Sequence, residues 1–243
     1  MKNLLKLSAL AAVLVVSATY ASASTITINS GGSATGPYTN GTLQFLGYNA
    51  TPGTTYPGSL TYSTVVNGAG FGATTATTDI LPGSVWAGPI GSSSWVSFTT
   101  TGPGGDVPNN GDYVYETTFD TTSLGAGPLA GSLDILADDT VSVFLNGTGA
   151  ANEIETAGGV GGDGDCSSGQ PSCTSNTGSV YNFSGLNNGV NTLYFVVEQT
   201  GSASEGLDFT VSASPVPEPS TLLMLGTGLM GSAGALFRRM RNK

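Results

Sequence analysis

From residue 24 onward the chain is written in short β-branched and aromatic runs, each closed by a cluster of Gly, Pro, Asn or Asp. No amphipathic helical period of useful length interrupts them. This pattern predicts an all-β domain with strands at 25–28, 43–48, 60–66, 95–99, 113–119, 133–136, 141–145, 180–183, 191–198 and 207–211. Alternation is clearest in the second half, where Tyr113, Tyr115 and Phe119 share one face, as do Val141, Val143 and Leu145, and Leu207, Phe209 and Val211. Each strand then has one face to bury, and about ten such strands fit a two-sheet β-sandwich, most simply a jelly roll, better than an open sheet. No fixed-period repeat is present, which argues against a propeller or a β-helix.

Charge limits the chemistry. All six basic residues lie at the two ends, Lys2 and Lys6 at the start and Arg238, Arg239, Arg241 and Lys243 at the finish, with no Lys, Arg or His between. The middle carries fifteen carboxylates, from Asp79 to Asp208. Nucleic-acid binding is excluded, because it draws its affinity from Lys and Arg releasing counterions. Anionic lipid surfaces and phosphorylated substrates are disfavoured for the same reason. A general base would have to be a carboxylate, and a serine nucleophile would lack its usual partner, so the expectation is a protein that is not an enzyme. Paired-carboxylate chemistry on a glycan stays open.

The two ends read as addresses. Lys2 and Lys6, the apolar run 7–16 and the small-residue motif Ala21-Ser22-Ala23 form a secretory signal over residues 1–23, with cleavage by signal peptidase expected after Ala23. At the far end, residues 215–243 hold Pro217-Glu218-Pro219, an uncharged stretch at 221–237 and a basic tail at 238–243. The 17 uncharged residues at about 1.5 Å each give about 26 Å, a marginal transmembrane helix for a bilayer core of about 30 Å. The cluster Arg238, Arg239, Arg241 and Lys243 acts as a stop signal and orients the helix by the positive-inside rule, placing the domain of residues 24–214 on the other side of the inner membrane. Glycines at 226, 228, 231 and 234 are tolerated in lipid, where they permit close helix contact.

These three elements in order resemble the PEP-CTERM sorting signal. The resemblance implies recognition by exosortase, a membrane-embedded cysteine protease of Gram-negative bacteria. It implies cleavage near Pro217, Glu218 and Pro219, followed by release or attachment at the cell surface, and a setting of exopolysaccharide or biofilm production. A second resemblance lies in Ala137-Asp138-Asp139-Thr140-Val141-Ser142-Val143-Phe144-Leu145-Asn146-Gly147 followed by Gly189-Val190-Asn191-Thr192-Leu193. These segments are similar to the galactose-binding-like jelly roll, in which a Leu-Asn-Gly turn closes one strand and a Gly-x-Asn-x-Leu strand leads toward the last. Many members of that family are carbohydrate-binding modules, and others serve structure or adhesion.

Candidate sites are few. Cys166 and Cys173, the two cysteines of an exported chain, read as a disulfide that pins a small loop and adds at most about 3 kcal/mol. A metal is the alternative use, and no His is present to complete its ligand set. Asp163 and Asp165 in the adjoining Gly-rich stretch are candidate calcium ligands, with solvated loop acids as the alternative. Asp138 and Asp139 are candidates for a structural calcium site, or for closing the turn before the next strand. Core packing is the expected state of both Trp86 and Trp95, and Trp86, in a turn-rich context, is the candidate platform for a sugar ring if it is exposed. Beyond such a calcium, no cofactor is expected. The sequence thus predicts an exported, non-catalytic surface or matrix protein, with a carbohydrate-binding module and a carboxylate-dependent glycan hydrolase as the rivals.

Overall fold

The computed structural model describes residues 24–31, 43–51, 75–80, 86–98, 108–155, 179–201, 204–216 and 219–241. Among them the chain forms β1 (Ile26–Asn29), β2 (Gln44–Asn49), β3 (Thr75–Ala76), β4 (Thr78–Asp79), β5 (Val96–Ser97) and β6 (Gly111–Asp120). It continues with β7 (Leu129–Asp138), β8 (Thr140–Leu145), β9 (Glu153–Glu155), β10 (Ser179–Ser184), β11 (Val190–Gln199), β12 (Gly206–Pro215) and the helix α1 (Pro219–Arg241). The expected strand at 60–66 lies outside the described residues.

The strands make two antiparallel sheets. One has the order β10-β7-β12-β5-β4, with β1 also paired to β12, and the other the order β3-β2-β6-β11-β8-β9. Four ten-residue strands, β6, β7, β11 and β12, supply the long pairings β6–β11 and β7–β12. Their alternation works as the sequence predicts: Tyr113, Tyr115, Phe119, Leu193, Phe195 and Val197 from one sheet meet Leu133, Ile135, Leu207, Phe209 and Val211 from the other in one buried core. Phe195 and Phe209 stack across it with ring centroids 4.5 Å apart. The strands are also apolar on the faces turned away from this core. Leu136 of β7 packs with Ile80, Trp86, Ala87 and Trp95, and Val114, Phe144 and Val196 form a third cluster.

The two motif asparagines, 45 residues apart in the chain, meet at one end of the sandwich. Asn146 follows β8 in the left-handed conformation, at φ 57°, which a type I′-like Asn-Gly turn requires. Its amide donates to Asn191 Oδ1 at 2.9 Å, and its Oδ1 accepts the Thr192 N–H at 2.9 Å. Asn191, fully buried, also donates to the Asn187 and Gly189 carbonyls at 3.1 and 3.0 Å. A buried amide with its donors and acceptor all used costs little and fixes the register of β8 on β11. The pairing explains the spacing of the Leu-Asn-Gly and Gly-x-Asn-x-Leu segments.

At the opposite end a single residue, Asp139, separates β7 in one sheet from β8 in the other. The Asp138–Asp139 peptide is cis, and the Asp139 N–H donates to the Glu198 carbonyl at 3.1 Å.

The helix α1 covers the expected segment but corrects its reading as a transmembrane span, since no helix among the described residues is long and apolar enough to cross a membrane. Glycines at 226, 228, 231 and 234 together with Thr227 and Ser232 dilute its hydropathy, and its last turn is cationic. Arg238, Arg239 and Arg241 are exposed there, where positive charge complements the carbonyl end of the helix. The Ser232 hydroxyl is absorbed by the Gly228 carbonyl one turn back, at 2.8 Å.

Candidate functional site

The corner between β7 and β8 gathers three of the residues singled out in the sequence, Trp86, Asp138 and Asp139. Residues 86–95 cross the outer face of the first sheet, and Trp86 lands on Gly206, the register partner of Asp138. A Cβ at Gly206 would lie 2.8 Å from the indole and 3.0 Å from Ile80, so only glycine leaves room for the ring. Trp86 stacks on Trp95 with centroids 4.4 Å apart and donates its indole N–H to Asp138 Oδ2 at 2.8 Å. The indole of Trp95 donates to the Ala87 carbonyl at 3.0 Å, which closes the loop on itself.

Trp86 is only 7% exposed and Trp95 is fully buried. Both therefore pack in the core, and Trp86 does not present the open ring face that a sugar platform needs.

Asp138 and Asp139 are both buried and take different partners. Asp139 Oδ2 accepts the Thr200 N–H and hydroxyl at 2.5 and 2.6 Å, closing the turn beyond β11. Burial pushes the Asp138 carboxyl up to about 8, the Asp139 carboxyl beside it adds to the push, and the Trp86 N–H opposes it.

Two further acids lie in this region that sequence reasoning did not single out. Glu205, wholly buried beside Gly206, is held by the Ser97 hydroxyl and by Tyr115, whose OH stands 2.8 and 2.9 Å from its two oxygens. Burial pushes Glu205 up to about 8 against the pull of both hydroxyls, and it drives the Tyr115 phenol well above its ordinary value. Asp208, also wholly buried, accepts the Ser30 hydroxyl at 2.7 Å and the Ile90 N–H at 2.8 Å, so it ties the tryptophan loop and the segment after β1 to β12. Burial raises its carboxyl too. A strand pattern read for apolar alternation treats Glu205 as a loop acid and Asp208 as a solvent-facing strand position. Their burial follows from residues 86–95 covering the sheet, a long-range packing event with no local signature.

As a cation site the corner does not fit. Calcium takes six to eight oxygen ligands, and no group of three or more His, Cys, Asp or Glu side chains among the described residues is placed to hold a metal ion. One oxygen of each, Asp138 Oδ2 and Asp139 Oδ2, already accepts from Trp86 and Thr200. Asp163, Asp165, Cys166, Cys173, Ala21, Ala23, Pro217, Glu218 and Lys243 lie outside the described residues. Pro219 opens α1, where its fixed φ and missing N–H suit the first helical position.

Residues 215–241 match the family model of the PEP-CTERM protein-sorting motif. No curated protein matches the chain. The motif implies an exported protein targeted to the cell envelope, processed by exosortase and anchored at the membrane before that processing.

Proposed function

We propose that this protein is a non-catalytic, acidic β-sandwich of the galactose-binding-like jelly-roll type, delivered by exosortase to the cell surface or the extracellular matrix, where it accompanies exopolysaccharide. The observation that carries this reading is the sorting motif at 215–241, which begins on the last residue of β12. A cleaved signal over residues 1–23 and a Cys166–Cys173 disulfide belong to the same proposal, as features of a secreted chain.

The carboxylates support a structural rather than a catalytic role. Asp138, Asp139, Glu205 and Asp208 are buried and bonded from within the fold, whereas a general acid or base must reach a substrate proton. A polysaccharide contact through Trp86 has no exposed ring to use, so any glycan association would draw on another surface.

The test is the intact mass and cellular location of the mature protein in cells with and without exosortase. With the enzyme, the expected product lacks residues after the Pro-Glu-Pro motif and is found outside the inner membrane; without it, the helix is retained. A mature form that keeps α1 in both strains would end the sorting reading.

A further inference from the structure

β12 is both an inner strand of the sandwich and the lead-in to the sorting motif. Its last residues are held on one side by β7, with Ser214 opposite Ala130 and Pro215 opposite Leu129, and the Val216 N–H donates to the Pro128 carbonyl at 2.8 Å. On its other side Ala213 stands opposite Ile26 of β1. The first strand after the expected signal cleavage therefore lies against the last strand before the sorting motif, and Pro217 follows Val216 directly.

No free linker separates ladder from motif. A protease takes its substrate as an extended strand, whose main-chain N–H and C=O groups must be available to the cleft. In residues 213–216 the groups that face β7 serve the sheet, as does Ala213 toward β1. By the alternation of an antiparallel ladder, the Ser214 N–H points to β7 as the Val216 N–H does, while Pro215 has none to donate.

We propose that the folded sandwich gates its own sorting: residues 213–216, held along β7 and at Ala213 by β1 as well, must leave the sheet before the processing protease can draw the motif into its cleft. This inference rests on the sorting reading above. The rate of cleavage then follows the population of a frayed strand end, a local opening far smaller than global unfolding. The gate also ties sorting to folding of the N-terminal strand, since β1 pairs with Ala213 at the start of the segment.

The experiment is pulse-chase processing of the full chain in exosortase-bearing cells, with far-UV circular dichroism melting of each variant as the folding control. Ser214→Pro removes a ladder donor without changing the distance from domain to membrane. Processing is expected to be faster by about tenfold, the factor that 1.4 kcal/mol of strand-end opening represents. If Ser214→Pro fails to melt cooperatively, a six-residue Gly/Ser spacer after Val216 takes its place under the same criterion. Rates equal to that of the unaltered chain would overturn the gate while leaving the sorting reading intact. An unaltered chain that is never processed would remove the sorting reading itself, and the gate with it.

Discussion

The folded domain is expected to be more stable at pH 5 than at pH 9, opposite to the acid sensitivity common among proteins whose carboxylates are ion-paired. Asp138 and Glu205 have folded-state values of about 8, above their ordinary values of 3.8 and 4.5. Below about pH 4 both are protonated whether the chain is folded or unfolded, and their contribution to stability is fully present. As pH rises from there toward 8, the unfolded chain gives up protons that the folded chain keeps. Stability then falls by up to about 1.4 kcal/mol per pH unit for each group.

The cause is structural. Residues 24–216 contain no Lys, Arg or His, so a buried carboxylate has no cation with which to pair. Its neighbours in the fold are Tyr115 from β6, Ser97 from β5, Trp86 and further acids. Repulsion among the remaining carboxylates grows in the same direction. Urea-unfolding midpoints measured across this range check the sign, and an unchanged or higher midpoint at pH 9 would refute it. Glu205→Gln keeps a neutral group beside Ser97 and Tyr115 and is expected to flatten the profile.

The second large effect falls on Trp86. Trp86→Ala is expected to destabilise the domain by about 3–5 kcal/mol, the range for truncating a buried aromatic. The change empties the stack on Trp95 and leaves Asp138 Oδ2 without its donor. Trp86→Phe, which keeps most of the packing and loses the N–H, is expected to cost about 1–3 kcal/mol. Chemical denaturation of the two variants separates the terms, and equal midpoints for Trp86→Ala and the unaltered protein would show that the ring carries no core energy. Loss of glycan binding in Trp86→Ala could not by itself identify a sugar platform, because this substitution acts on the fold first. Gly206 is the complementary position, since any side chain there displaces the same indole.

Delivery and architecture meet at one end of the sandwich. The register that sets Ile26 against Ala213 lays the first strand, β1, beside β12, the strand that leads into the sorting motif. The buried acids Asp138 and Glu205 lie at the other end of the same strands, where Asp138 pairs with Gly206.

What the sequence determined by itself was local or compositional. Strand periods in β6, β8 and β12 announced their inward faces because alternation is a property of a single strand. The terminal segregation of cations and the Pro-Glu-Pro segment announced an address, because sorting signals are read as linear chain. The Asn146–Asn191 contact was foreshadowed by two motifs, and only packing joined them.

Tertiary structure alone decided the rest. Trp86, in a turn-rich stretch, had no periodicity to say which way it faced, and its burial depends on Gly206, 120 residues later in the chain. Asp138 and Asp139 looked alike as neighbours, yet the sheet-to-sheet corner gives one to an indole and the other to Thr200. The transmembrane reading of α1 rested on the absence of charge, whereas its glycines and hydroxyls decide how apolar the helix is. Burial of Glu205 and Asp208 is a long-range outcome of residues 86–95 lying over the first sheet, and a carboxylate carries no mark in the sequence of whether it will be covered.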